Sequence, residues 1–141
     1  MNDYDMLRSI CKTAEMGVDS IKDLMGYVHE PQARKVLSDQ KAEYNQIYSK
    51  AYAMLLSCGK QPKDVSRMAK MGASMAIKAE TMRDRSMSKV AELLIKGNTT
   101  GMTKSIKNMR NYRGQNEGVR TLAAKLLRTE QANIEQMKSY L

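Results

Sequence analysis

Apolar side chains recur three and four residues apart along four stretches of the chain, the spacing of amphipathic helices. The first stretch runs from about Asp3 to Val28, with Leu7, Ile10, Cys11, Ala14, Gly17, Val18, Ile21 and Leu24 on one stripe and Asp3 placed to cap it. The second runs from Pro31 to Ser57. Proline suits a first helical turn, Gly59 suits a stop, and the stripe is Ala33, Val36, Leu37, Gln40, Tyr44, Ile47, Ala51, Met54 and Leu55. The third is expected from about Lys63 to Lys96, with Val65, Met68, Gly72, Met75, Ala79, Met82, Ser86, Val90, Leu93 and Leu94 inward and Gly97 closing it. The fourth runs from about Glu117 to Tyr140, with Val119, Leu122, Ala123, Leu126, Leu127, Glu130, Asn133, Ile134 and Met137 inward. No strand-like alternation occurs.

Short links set the first and second helices antiparallel, and likewise the second and third. Four such stripes are buried most economically in a single all-α domain over residues 1–141, an antiparallel four-helix bundle. Residues 97–118 join the last two helices, and Met102 to Tyr112 is expected to form a short extra helix within that connection. The two helical halves do not repeat one another in sequence.

Composition sharpens this picture. Trp and Phe are absent, 13 Met are present, and only two prolines occur, so the core is built from aliphatic and Met side chains. No apolar run approaches the ~18 residues of a membrane span. The start MNDYDMLRSI lacks the basic-then-apolar order of a signal peptide. Cys11 and Cys58 fall ~15 Å apart in a helical hairpin, beyond the ~7 Å Cα limit of a disulfide. Two free thiols and a cytoplasmic setting are expected.

Charge divides the chain. Residues 1–60 carry 8 Lys/Arg and 8 Asp/Glu, whereas residues 61–141 carry 16 and 7. Lys104, Lys107, Arg110 and Arg113, with Tyr112 among them, lie in a stretch without an acid between Glu92 and Glu117. Such a segment can hold phosphate or nucleic acid, or simply be a solvated connector. No recognised nucleic-acid motif accompanies it.

Glu130 and Asn133 carry the sharpest chemical signal. They stand three apart on the inner stripe of the last helix, where Leu126, Ala123 and Met137 mark the core face. Gln40 and Glu43 repeat the spacing on the second helix. This layout resembles the ferritin-like superfamily, in particular small rubrerythrin-like and spore-coat-like bundles. The resemblance implies a core Glu on helices one and three, and Glu-x-x-His on helices two and four, holding a di-iron or di-manganese pair. The chain departs from that pattern: Asn133 stands for one histidine, the second-helix pair reads Gln-x-x-Glu, and the sole histidine, His29, is in a turn.

Glu43 and Glu130 are the remaining weak metal candidates. A charged group in a bundle core must be paired. Arg83 or Arg85 is the expected partner, giving a core network of Gln40, Glu43, Arg83, Glu130 and Asn133 with no metal or other cofactor.

Other constellations are thin. Met68, Met71, Met75, Met82 and Met87 read as core filling rather than a copper path. Tyr44, Tyr48 and Tyr52 read as packing with hydroxyls at the boundary. There is no phosphate loop, zinc spacing or nucleophile elbow. Cys11, on an apolar stripe, reads as inert. The sequence thus points to a degenerate, non-catalytic bundle acting as a structural or interaction protein, as a homodimer or part of a larger assembly. A di-metal oxidoreductase or storage protein is the alternative by resemblance. A basic module, residues 96–113, binding nucleic acid or an acidic partner is a third reading.

Overall fold

The computed structural model describes residues 1–59, 77 and 83–141. Within them four long helices pack side by side: α1 (Asp3–Met25), α2 (Pro31–Ser57), α3 (Met87–Asn111) and α4 (Glu117–Lys138). There is no strand among the described residues. None of their helices is long and apolar enough to cross a membrane.

Each helix end has a local cause. Asn2 rather than Asp3 caps α1, its Oδ1 accepting from the Asp5 amide at 2.9 Å. Asp3 instead accepts a hydrogen bond from the Tyr112 hydroxyl. The Arg34 guanidinium takes the carbonyls of Met25 (3.0 Å) and Val28 (2.8 Å), which ends α1 three residues before the expected Val28. α2 spans the expected residues, with Pro31 in its first turn and Gly59 beyond its end at φ +72°.

The third helix differs from expectation. Ser86 is its N-cap, accepting from the Lys89 amide at 3.1 Å, and the helix then passes through both Gly97 and Gly101. A glycine stops a helix by adopting a left-handed conformation, and among the described residues only Gly59 does so. The inner stripe of α3 continues unbroken through Val90, Ala91, Leu94, Asn98 and Ser105. The stretch expected as a connector with a short extra helix is therefore the second half of α3. The true link is Tyr112 to Asn116, and Asn116 caps α4 by accepting from the amides of Gly118 and Val119. Of the expected third-helix stripe, positions 65 to 82 lie outside the described residues.

Registers between helices set the topology. Asn108 donates to Ser9 at 2.7 Å, Arg113 N donates to Met1 O at 2.9 Å, and the Met1 ammonium donates to Asn111 O at 3.3 Å. Early α1 is thus level with late α3, and these helices are antiparallel. At the opposite end the Arg85 guanidinium lies 5.9 Å from the Tyr27 ring, just ahead of α3 and just after α1. Since α1 and α2 form a tight hairpin, α2 and α3 run parallel. The chain leaves α2 at one end of the bundle and enters α3 at the other, while the start of the helix expected from Lys63, antiparallel to the second, lies outside the described residues. That is the connectivity of a four-helix bundle with one long crossover.

The core is one cluster, with Leu7, Ile10, Ile21, Leu24, Leu37, Ile47, Leu55, Val90 and Val119 no more than 2% exposed. Fully burying each such side chain stabilises the fold by roughly 1.5–3 kcal/mol. Cys11 is buried in it and Cys58 is exposed, and both are free thiols, as the hairpin geometry requires. Burial, with the charge of Glu15 adding to it, raises the Cys11 thiol to about 11, so it is not a nucleophile at neutral pH.

Candidate functional site

Midway along the bundle the apolar core is interrupted by polar side chains from three helices. Tyr44 of α2, Asn98 of α3, and Glu130 and Asn133 of α4 are all buried. Each follows from its place on an inner stripe: Tyr44 lies between Gln40 and Ile47, Asn98 one turn after Leu94, and Glu130 one turn after Leu126. The Tyr44 hydroxyl donates to Asn98 Oδ1 at 2.5 Å, and the Asn98 amide donates to Leu94 O at 2.9 Å, so both are fixed.

Two glycines make room for this cluster. A Cβ on Gly17 of α1 would meet the Tyr44 ring at 2.6–2.7 Å, and a Cβ on Gly101 of α3 would collide with the Glu130 carboxylate. Glycine supplies the close approach in both places. In each hairpin, a large polar side chain of the second helix thus rests on a glycine of the first.

Glu130 is 2% exposed, and its Oε2 has no hydrogen-bond partner. Burial raises the carboxyl pKa to about 8, and the Lys104 ammonium opposes this without cancelling it. Glu130 is therefore largely a neutral acid at pH 7. The Tyr44 hydroxyl is pushed well above its ordinary pKa by burial and then by Glu130, with the Asn133 amide opposing. Lys104 is exposed on α3, and its pKa is lowered by partial desolvation and by the facing Lys12 of α1, against the pull of Glu130.

The expected core network forms only in part. Gln40, Glu130 and Asn133 are its buried members. Arg83 is exposed and makes no ion pair with Glu130, and Arg85 stacks on Tyr27 instead. Both arginines precede the N-terminus of α3, far from mid-bundle, so neither can neutralise Glu130. Gln40 is buried but donates to Gln136 at 2.9 Å, and Glu43 pairs with Lys125 at 3.3 Å. Lys104, Lys107, Arg110 and Arg113 are exposed along the end of α3 and just beyond it. Of the Met series, only Met87 is described, half-buried at the start of α3. Sequence reasoning missed Asn98 and Gly101 because the third helix was expected to end at Gly97, before either of them. The 3–4 spacing of Leu94, Asn98 and Gly101 was the available signal.

A di-metal centre needs several carboxylates and two imidazoles converging in the core. This cluster offers one carboxylate, two amides and a phenol, and the Glu130 carboxylate is pressed onto the α3 backbone. His29 is exposed in the α1–α2 link, and Glu43 is engaged by Lys125. Among the described residues no group of three or more His, Cys, Asp or Glu converges. The residues present do not fit the iron or manganese pair that the resemblance implies.

No family model matches the sequence, and neither does any curated protein. Among solved structures, the fold is similar to that of a DUF305 fragment from Deinococcus radiodurans. The two share 13% identity over 97% of this chain and 93% of that one, with a TM-score of 0.72. At that identity the likeness is one of fold, an all-α helical bundle.

Proposed function

We propose that this chain is a non-catalytic, metal-free helical bundle that acts as a structural or interaction protein, self-associating as a homodimer or within a larger assembly. The observation that carries the reading is the packed bundle centre. Where metal-dependent bundles converge carboxylates and imidazoles, Tyr44 rests on Gly17, Glu130 rests on Gly101, and Tyr44 is tied to Asn98. The parallel course of α2 and α3 supports descent from a ferritin-like, spore-coat-like plan that has lost its site. Two unpaired thiols support a reducing, cytoplasmic setting.

The test is elemental analysis after incubation with Fe(II) and Mn(II), beside a Glu130→Ala variant, together with sedimentation velocity across a concentration series. Metal-free protein that self-associates is the expected outcome. Near-stoichiometric metal lost in the variant would restore a di-metal oxidoreductase or storage role.

A second reading is favoured by one specific feature. Lys104, Lys107, Arg110 and Arg113 share the end of α3 and its link, with no acid between Glu92 and Glu117. Lys12 of α1 faces Lys104, and buried Arg8 Nε has no hydrogen-bond partner. Cations gathered against their own repulsion suit a polyanion such as nucleic acid. Duplex affinity that falls steeply with salt, with a slope reduced by about 1 on removing Lys107, supports this reading. Salt-independent or absent binding leaves the assembly role alone.

A further inference from the structure

The α3–α4 hairpin carries a second row of side chains beside the one that fills the core. On α3 it runs Ile95, Thr99, Met102, Ile106 and Met109, and on α4 Ala124, Leu127, Gln131 and Ile134, in alternating steps of three and four. Neither row holds a charged residue. α3 turns Asn108 toward α1, and α4 turns Lys125 toward α2. At about 100° per residue, both rows fall on the far side of their helix, along the outer edge of the hairpin. Met102, Ile106, Leu127 and Ile134 are half-buried and belong neither to the core cluster nor to the fringe packed on it. Leu127 and Ile134, expected inward, thus sit at its edge.

A second heptad row is the mark of a helix with a further neighbour to pack on. The charges that rim this seam show which neighbour fits. The α3 rim is basic, with exposed Lys96 and Arg110, so it repels a second α3. The α4 rim carries exposed Arg128 and Glu135, two turns apart on one face, with small Ala132 between them. Glu135 holds Lys138 at 2.7 Å, a surface pair that a better-placed partner parts easily. In an antiparallel two-fold contact centred between Gln131 and Ala132, Arg128 of each copy comes level with Glu135 of the other. Leu127 of each then lies within about 3 Å, along the axis, of Ile134 of the other. A nucleic acid or a charged ligand gains nothing from an uncharged seam, whereas these rim charges complement themselves.

We propose that the outer edge of the α3–α4 hairpin is the face on which two copies of this chain pair. α4 meets α4 across the two-fold axis, and Met102 and Ile106 of each α3 close the seam beside it. The inference rests on the self-association put forward above and gives it a place. Lys104, which faces Lys12 of α1, lies on the opposite side of α3 and stays clear of the contact.

The experiment is sedimentation velocity on the whole chain across a concentration series, with variants confined to exposed positions. Arg128→Glu and Glu135→Arg each set like charges against one another on both sides of the axis. Each is expected to weaken self-association roughly tenfold or more. Mixing the two single variants restores both opposite-charge contacts in a heterodimer, so the mixture is expected to associate about as tightly as the wild type. Gln131→Leu fills the polar gap in the α4 row and is expected to tighten association severalfold. Circular dichroism of every variant is expected to match the wild type, since all three side chains are exposed. Indifference to all three variants, or a mixture no tighter than its components, would overturn the proposal while the association reading stands. A chain monomeric at every concentration would sink both.

Discussion

At the scale of single residues, Glu130 determines how the core responds to pH. Its folded pKa of about 8 lies above the ordinary 4.5, so folding takes up a proton between those values. Stability falls wherever the native state holds more protons than the unfolded chain. Glu130 therefore contributes nothing adverse below about pH 4.5, and an increasing penalty as pH rises toward 8, reaching roughly 4 kcal/mol. Glu130→Gln is expected to match the wild type in urea denaturation at pH 5 and exceed it by a few kcal/mol at pH 9. Parallel stability curves for the two proteins would show that the carboxyl stays ionised. The glycines that hold this cluster make a second prediction. Gly101→Ala drives a methyl group into the Glu130 carboxylate and is expected to cost about 1–3 kcal/mol. Adding Glu130→Ala should recover part of that loss, because the colliding atoms are gone. A double variant no better than the sum of its parts would locate the strain elsewhere.

At the scale of elements, the helices differ in how openly their ends are written. α2 was legible because its two boundaries use residues with one dominant meaning: Pro31 fixes the first turn, and Gly59 takes the left-handed conformation past the last. α3 was not, because its glycines mean different things. Gly101 is needed for the approach of Glu130, whereas a Cβ on Gly97 would touch nothing. A glycine in mid-helix without a packing reason costs about 0.5–1 kcal/mol relative to alanine. Gly97→Ala is thus expected to raise the melting temperature, and Ser86→Ala to lower it by a loss of about 1 kcal/mol, since Ser86 is the cap that starts this helix. A destabilised Gly97→Ala protein would mean that α3 breaks there, as the sequence pattern had implied. The same misplacement hid the α3 part of the central cluster. Glu130 and Asn133 were visible on the α4 stripe, but Asn98 and Gly101 belonged to a segment expected as a connector.

At the scale of the whole molecule, periodicity gives the number and faces of helices but carries no sign for their direction. Direction is set by which ends meet, and those contacts are long-range: Ser9 with Asn108, Met1 with Asn111, Tyr27 with Arg85. The parallel course of α2 and α3 makes a distance prediction that the hairpin alternative contradicts. Cys58, exposed just after α2, and residue 88, exposed in the first turn of α3, lie at opposite ends of the bundle. α2 has 27 residues, about 40 Å at ~1.5 Å each. Spin labels on Cys58 and on a Ser88→Cys variant, with buried Cys11 replaced by Ala, are expected to report a separation on the order of 35–45 Å. An antiparallel second and third helix would bring the same pair within about 20 Å, the span of two helix diameters. A short distance would reverse the topology and separate Tyr44 from Asn98, and the central cluster would then have to be rebuilt from other partners.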